Sequence, residues 1–536
     1  MYKRLWMMLL LVLLSQLAVG CFTATGRKSA EPHIRYAVGA EPQTLDPRKM
    51  TGLPEANIAA QIFEGLTRLD SHGSPLPAAA ERWSISADGL VYTFHLRSAA
   101  RWSNGDRVTA RDFAYAWTTA LSPELASEYA YQLFYIKNGE AYSKGLAAAD
   151  NVGIKVLDDH TLEVTLEHPT AYFLSLLAFH TYYPVHAATA DTNPKWAAEA
   201  KTIVGNGAFA IKGWQHNSSI EFVPNRFYWD AAKVRVSRLE FILTESSATE
   251  LAMFDNNQLD MGGNPPASEI PRLLKEKMLS ITPYAGTYFV AFNVTSPPFD
   301  NVLVRKAFSL AIDRESIIRN ITRGEQRVAL AWVPYGLPDA ATDSDFRQTG
   351  GSYLTDNDGA AARRFLTEAG YPEGRGLPPV TLIYNTNEMH KAIAEALQEM
   401  WKKNLGVQVS LANQEWKVFL DNRHKGYFQM ARHGWIGDYA DPMTFIDVFM
   451  SDSGNNDAQY RNPVYDNLVK RAKGSSEPVV RMEAMHGAER LLLDDAVLAP
   501  IYFYTKLLLV KPHVKGFVQT SLGIVYFKEA YVETRR

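Results

Sequence analysis

The chain reads as an α/β protein on three observations. Residues 90–97 alternate, with Leu90, Tyr92, Phe94 and Leu96 on one side and Val91, Thr93, His95 and Arg97 on the other. That period of two marks a half-buried strand. Ile154 and Val156, then Asp158-Asp159-His160, then Leu162, Val164 and Leu166 read as a hairpin. A short apolar strand at 380–384 precedes a helical stripe of Ile393, Ala396, Leu397, Met400 and Trp401, followed by alternating Val407, Val409 and Leu411. This is a β-α-β unit. Lys402, Lys403 and Gly406 close its helix, as cations and a left-handed residue should. The ligand crevice of such a unit lies beyond the carboxyl end of the strand, which makes Asn385 and His390 candidate site residues. Val304, Ala307, Phe308 and Ala311 share a helix face, and that helix is expected to run to about Thr322 and stop at Gly324. Asp356-Asn357-Asp358-Gly359 lacks the glutamate that completes a calcium loop and reads as a turn and N-cap.

A length of 536 residues implies several domains. The 55 Lys+Arg against 58 Asp+Glu argue against a nucleic-acid binder, which would be basic. One cysteine excludes an intramolecular disulfide and a cysteine-held metal cluster. No nucleophile elbow, Walker loop, zinc-protease helix or dinucleotide fingerprint is present. His180 and His186, and likewise His424 and His433, lack a usual metal spacing. The sequence therefore supports neither an enzyme, a cofactor nor a metal.

The N-terminus reads as an address. Lys3 and Arg4 precede ten apolar residues at 5–14, too few to span a bilayer and right for a signal peptide. Leu17-Ala18-Val19-Gly20-Cys21 resembles a bacterial lipobox. Residues 1–20 are then a leader, Cys21 is the lipidated residue, 21–32 form a tether, and the fold begins near His33.

Several motifs follow in order: Glu41-Pro42-Gln43-Thr44-Leu45-Asp46-Pro47, Phe63-Glu64-Gly65-Leu66, Val108-Thr109-Ala110-Arg111-Asp112-Phe113, Gly205-Asn206-Gly207-Ala208-Phe209, Val304-Arg305-Lys306-Ala307 and Glu368-Ala369-Gly370-Tyr371. The series resembles the peptide and nickel class, family 5, of the ABC-transporter solute-binding proteins, its oligopeptide and murein-tripeptide receptors above all. The resemblance implies a two-lobed periplasmic-binding-protein clamshell of the large, class II, three-domain type with mixed sheets. Domain I would hold 33–63, 188–285 and 506–536, domain II would be inserted at 64–187, and domain III would span 286–505. Crossings near 285 and 505 would be the hinge. The implied protein is a monomeric extracytoplasmic receptor, lipid-anchored to a membrane. It would hand short peptides to the permease and ATPase of an importer, without nucleic acid or enzymatic activity. The rival reading, an exported hydrolase, needs a nucleophile–base pair or metal triad that the residues do not show.

The resemblance also assigns a site. Within Arg432-His433-Gly434-Trp435-Ile436-Gly437-Asp438-Tyr439, Asp438 would pair with the peptide α-ammonium. The residues alone leave Asp438 equally an N-cap or a loop acid. Gly434 and Leu53 would offer main-chain contacts, Tyr129 would cover the peptide, and Trp416 would wall a side-chain pocket. Tyr284, Trp435, Asn385 and Ala291 complete the backbone and pocket set. Arg432, Arg423, His390 and Arg323, with His424 beside Arg423, would serve the peptide carboxylate. His180 is a weaker candidate, because Phe179 stands where the family has a cleft histidine. Thr51 and Ala291 replace two family acids, and Gly286 and Ile436 replace a cysteine pair. Loss of the acid at 291 is expected to leave Arg423 free for a ligand carboxylate, and so to favour acidic or murein-derived peptides.

Overall fold

The structure, a computed structural model, describes residues 32–533 apart from 72, 342 and 521. The expected leader, Cys21 and all of the tether but Pro32 lie outside the described residues.

Strand β1 (His33–Gly39) opens the fold, followed by helix α1 (Leu53–Ile62) with Pro54 in its first turn. Strands β2 (Ala80–Ile85) and β3 (Val91–Leu96) come next, then helix α2 (Ala110–Leu121), and then β4 (Ile154–Asp158) and β5 (Thr161–Thr165). These strands form a separate antiparallel sheet in the order β2-β3-β5-β4. The expected alternation is realised, since Tyr92, Phe94 and Leu96 are buried, and so is the hairpin at β4–β5. Thr109 and Asp112 build a reciprocal cap at the start of α2.

The chain continues through β6 (Phe209–Gln215), β7 (Ser219–Pro224), β8 (Arg238–Leu243), α3 (Ser247–Asp255) and β9 (Met261–Gly262). Next come the long strand β10 (Leu279–Phe292), α4 (Val302–Leu310) and α5 (Gly359–Glu368). The β-α-β unit is β11 (Val380–Asn385), α6 (Glu388–Leu405) and β12 (Val409–Gln414), with β11 and β12 parallel and Gly406 left-handed at φ 71°. Helix α7 (Trp416–His424), β13 (Met430–Ile436), α8 (Pro478–Asp494) and the long β14 (Leu498–Val510) complete the elements that matter here.

One 11-stranded mixed sheet runs β12-β11-β13-β10-β14-β9-β1-β8-β7-β6, with Arg327–Val328 pairing β14 off this path. Its two halves are joined by β10 and β14. These pair from Leu279 opposite Leu509 to Ala291 opposite Leu498, with a register break between Pro283 and Thr287. The strands pass through residues 285 and 505; pairing lapses at 284–286 opposite 504, directly after Pro283 pairs with Thr505. Gly286 lies opposite Ile436 in the β10–β13 register, where the resemblance expected a cysteine pair.

The helix expected from Val304 to about Thr322 is interrupted. Helix α4 ends at Leu310, and the Asp313 carboxylate starts a new turn by accepting from the Ser316 N–H at 2.9 Å. Arg314 then turns inward, fully buried, and donates to the carbonyls of Pro500, Ile312 and Ser309 and to Asp356. A buried guanidinium needs several acceptors, and the bend supplies them. Arg323, one residue before the expected stop, takes the left-handed conformation at φ 52°. Asp358 caps α5 by accepting from the Ala361 N–H at 2.9 Å, as expected.

Candidate functional site

A cavity of about 420 Å³ opens between the two halves of the large sheet and the four-stranded domain. It is lined by the carboxyl ends of β11 and β13, the starts of α1, α6 and α7, and the middle of β14. Strand β13 delivers two opposite charges to it.

Asp438 lies two residues past the end of β13 and is partly exposed to the cavity. Its N–H donates to Thr444 Oγ1 at 2.8 Å, which fixes the backbone. Its Oδ2 accepts from Gln132 Nε2 at 3.0 Å, and Gln132 is itself fully buried. No lysine, arginine or histidine pairs with Asp438 among the described residues. Burial, reinforced by the nearby Asp447 carboxylate, holds its carboxyl well above the usual range. A desolvated carboxylate without a cation is a cation site. Tyr129 and Tyr131 stack beside it at 5.8 Å, and Trp435 is pinned by its indole N–H on the Thr444 carbonyl at 2.7 Å.

Arg432 is the opposite charge. Its guanidinium donates to Asn385 Oδ1 at 3.3 Å and to Tyr504 Oη at 3.1 Å, and sits 4.8 Å from the Tyr288 ring centroid. Among the described residues no carboxylate pairs with it. Gly434 is required locally, because a Cβ there would meet the Tyr504 hydroxyl that holds Arg432. His390 follows the Asn387 cap of α6, with Nδ1 3.4 Å from Tyr288 Oη. Burial, then Arg432, hold its imidazole well below its ordinary value, so it is neutral.

Leu53, Tyr129, Tyr284, Asn385, Trp416, Gly434 and Trp435 all line the cavity with Asp438, Arg432, Arg423 and His390. His180 and Phe179 also face it; burial takes His180 down to about 3. Four expectations are corrected. Arg323 is exposed and does not line the cavity. Ala291 is buried in the register between Ala431 and Leu498, below the cavity wall. Arg423 lines the cavity but is not free. Its Nε donates to Asp457 Oδ2 at 2.5 Å, so an acid from 34 residues downstream replaces the one missing at 291. His424 does not line the cavity and is held between Asp457 and Glu128, at 2.9 Å from each. Burial alone would raise the Asp457 carboxyl, yet Arg423, His424 and His433 hold it well below the usual range.

Burial opposes protonation of His424, but Asp457 and Glu128 push it up to about 9. A histidine raised on folding stabilises fully below its unfolded value near 6.5, and this contribution is lost as pH rises through about 9. Urea unfolding of His424→Gln should therefore show a deficit against the parent at pH 6 that shrinks by pH 9.5, by up to about 1.4 kcal/mol per pH unit over that interval.

The sequence reading missed Gln132, Asp457, Tyr504, Lys506 and Asn455, which lines the cavity and donates to Tyr131 Oη at 3.3 Å. Tyr504 and Lys506 had one usable signal, polar residues two apart inside an apolar strand. Gln132 and Asp457 had none. Among the described residues no group of three His, Asp or Glu could hold a metal ion, and no helix is long and apolar enough to cross a membrane.

A two-part large sheet, an inserted smaller sheet and a cavity closed between them define a solute-binding protein. The chain belongs to the bacterial extracellular solute-binding proteins, family 5, whose central region matches residues 74–457. It is 38% identical over 548 residues to the oligopeptide-binding protein OppA of Bacillus subtilis, covering 99% of both chains. Haemophilus influenzae OppA in complex with RPPGFSPFR superposes with a TM-score of 0.86 at 33% identity, over 94% of this chain and 99% of that one. The murein tripeptide binding protein MppA of Escherichia coli gives 0.89 at 32% identity, over 95% and 99%. The unliganded open form of MppA gives only 0.61 over 94% and 98%. The lobes are thus arranged as in the peptide complex, not as in that open form. Contacts across the cleft agree: Gln132 on Asp438, Tyr172 stacked on Tyr439 at 4.7 Å, and Glu128 on His424.

Proposed function

We propose that this protein captures short peptides between its lobes and presents them to an ABC importer. The observation that carries the reading is that Asp438 and Arg432 line one cavity, each without an ion-pair partner among the described residues. A free peptide supplies an ammonium and a carboxylate at opposite ends of an extended chain. Gly434 and Leu53 both line the cavity, where an extended peptide backbone would pass. Closure would bend β10 and β14 near 285 and 505, beside the interruption of their pairing at 284–286 and 504. Mass spectrometry of ligands released from the purified protein tests the reading. Short peptides are expected; a sugar, metal chelate or sterol as the sole ligand would contradict it.

A preference for murein-derived peptides lies within this reading through the likeness to MppA, but Asp457 removes the argument that Arg423 creates it. Cys21 is proposed as the lipid anchor. Incorporation of labelled lipid precursor by the parent and not by Cys21→Ala is the expected result.

The raised Asp438 carboxyl gives a linkage with a definite sign. A bound ammonium favours the ionised form, so binding below the raised value releases a proton, and affinity falls as pH falls. Affinity also falls above about pH 8, as the peptide α-amine itself loses its proton. Calorimetry in two buffers of different ionisation enthalpy should detect net proton release that grows as pH falls towards the raised value and is absent in Asp438→Asn.

A further inference from the structure

Besides Arg432 and Arg423, the cavity is lined by a third basic side chain, Lys506. Lys506 lies on β14 two residues after Tyr504, and both line the cavity while Thr505 does not, as alternation along a strand requires. Residues two apart on one strand face are separated by about 7 Å. Tyr504 holds Arg432, its ring lies 6.2 Å from that of Tyr284, and Lys506 Nζ lies 5.3 Å from the Tyr284 ring centroid. Arg432, Tyr504, Tyr284 and Lys506 therefore follow one another along one wall.

Among the described residues the Lys506 ammonium makes no hydrogen bond or ion pair. The acid that influences it is Glu250, 3% exposed, whose Oε1 already accepts from the N–H groups of Gly263 and Asn264 at 2.8 Å each. Burial pushes Glu250 up to about 7 and Lys506 down to about 8, with each partly offsetting the other. Near neutral pH Glu250 is only partly ionised and supplies an incomplete counter-charge. A desolvated ammonium facing open cavity, braced on an aromatic ring, is built to receive an anion.

We propose that Lys506, braced by Tyr284, is a second carboxylate subsite of the cavity, placed further along the wall from Arg432. It takes a peptide carboxylate, either the C-terminus of a chain longer than one ending at Arg432 or an acidic side chain. The proposal rests on the peptide reading above.

The test is a titration of the parent and of Lys506→Met with matched peptides: alanine peptides of three to six residues as free acids and as C-terminal amides, and tetrapeptides with Glu or Gln at each position. In the parent, at least one acid should bind about ten-fold tighter than its neutral counterpart, and in Lys506→Met that ratio should drop below about two-fold, as losing a charge-assisted hydrogen bond implies. A Lys506-dependent ratio confined to particular chain lengths assigns the C-terminal carboxylate, and one confined to Glu against Gln assigns a side chain; both support the subsite. If every acid-to-neutral ratio survives Lys506→Met, or survives Lys506→Gln should the first variant not fold, the subsite is overturned while the peptide reading stands. A parent that binds none of the peptides overturns both.

Discussion

Asp438→Ala should weaken peptide binding by about 2–5 kcal/mol, roughly 30-fold to several thousand-fold, as removal of a buried charge partner does. The peptide ammonium would lose the carboxylate it meets, and the neighbouring Asp447 does not replace it, being occupied by Lys473 at 3.0 Å. Asp438→Asn should lose nearly as much, because a neutral amide keeps the shape and the approach of Gln132 but not the charge. The same substitution should leave the ligand-free protein as stable as the parent or more so. In the empty site an ionised Asp438 is desolvated beside Asp447, and folding raises its carboxyl; the unfavourable term grows as pH rises above the usual carboxylate range. Isothermal calorimetry with a tripeptide and thermal unfolding of the ligand-free forms measure the two effects. Loss of affinity with unchanged or raised melting temperature separates a ligand contact from a structural acid.

The second large effect lies in the core. Arg347 and Glu489 form an ion pair at 2.5 Å with side-chain exposures of 2% and 0%. Glu489 Oε1 also accepts from the N–H groups of Trp332 and Val333, at 2.9 and 2.7 Å. Arg347→Met leaves that carboxylate buried without its cation and should destabilise by about 3–5 kcal/mol. Arg347→Met/Glu489→Gln should recover part of the loss, because the amide keeps an acceptor for the two N–H groups and removes the stranded charge. Urea unfolding of the three forms checks both statements. The pair fixes the segment in which the Trp332 carbonyl accepts from Thr287 Oγ1 at 2.8 Å and the Trp332 ring packs on Phe289 at 4.9 Å. Those residues lie on β10 beneath the site, so this core pair supports the cavity wall without touching ligand.

The β-α-β unit was legible because its signals are local: a stripe at helical spacing, cations and Gly406 at the helix end, and alternation on each side. Asp438 was singled out through a motif, and the structure places its carboxylate in the cavity, held by Gln132 and without a cation among the described residues. Arg423 was misread because the sequence cannot show that Asp457 folds back onto it. The loss of one acid at 291 is visible in the chain, whereas its replacement is visible only in space. The broken helix after Leu310 has the same origin. Its apolar stripe continues, but Arg314 finds its acceptors on β14, nearly two hundred residues away in the chain. Lys506 escaped notice because a lysine in an apolar run reads as a solvated edge until its strand is seen to border a cavity.

The central claim is that Asp438 and Arg432 hold the two ends of one peptide. Calorimetry of the parent with a neutral tripeptide, its N-acetylated form and its C-terminal amide tests it most directly. The account predicts tight binding of the free tripeptide and losses of about 2–5 kcal/mol for each blocked form, the first loss vanishing in Asp438→Ala and the second in Arg432→Met. Equal affinity for all three ligands would contradict it.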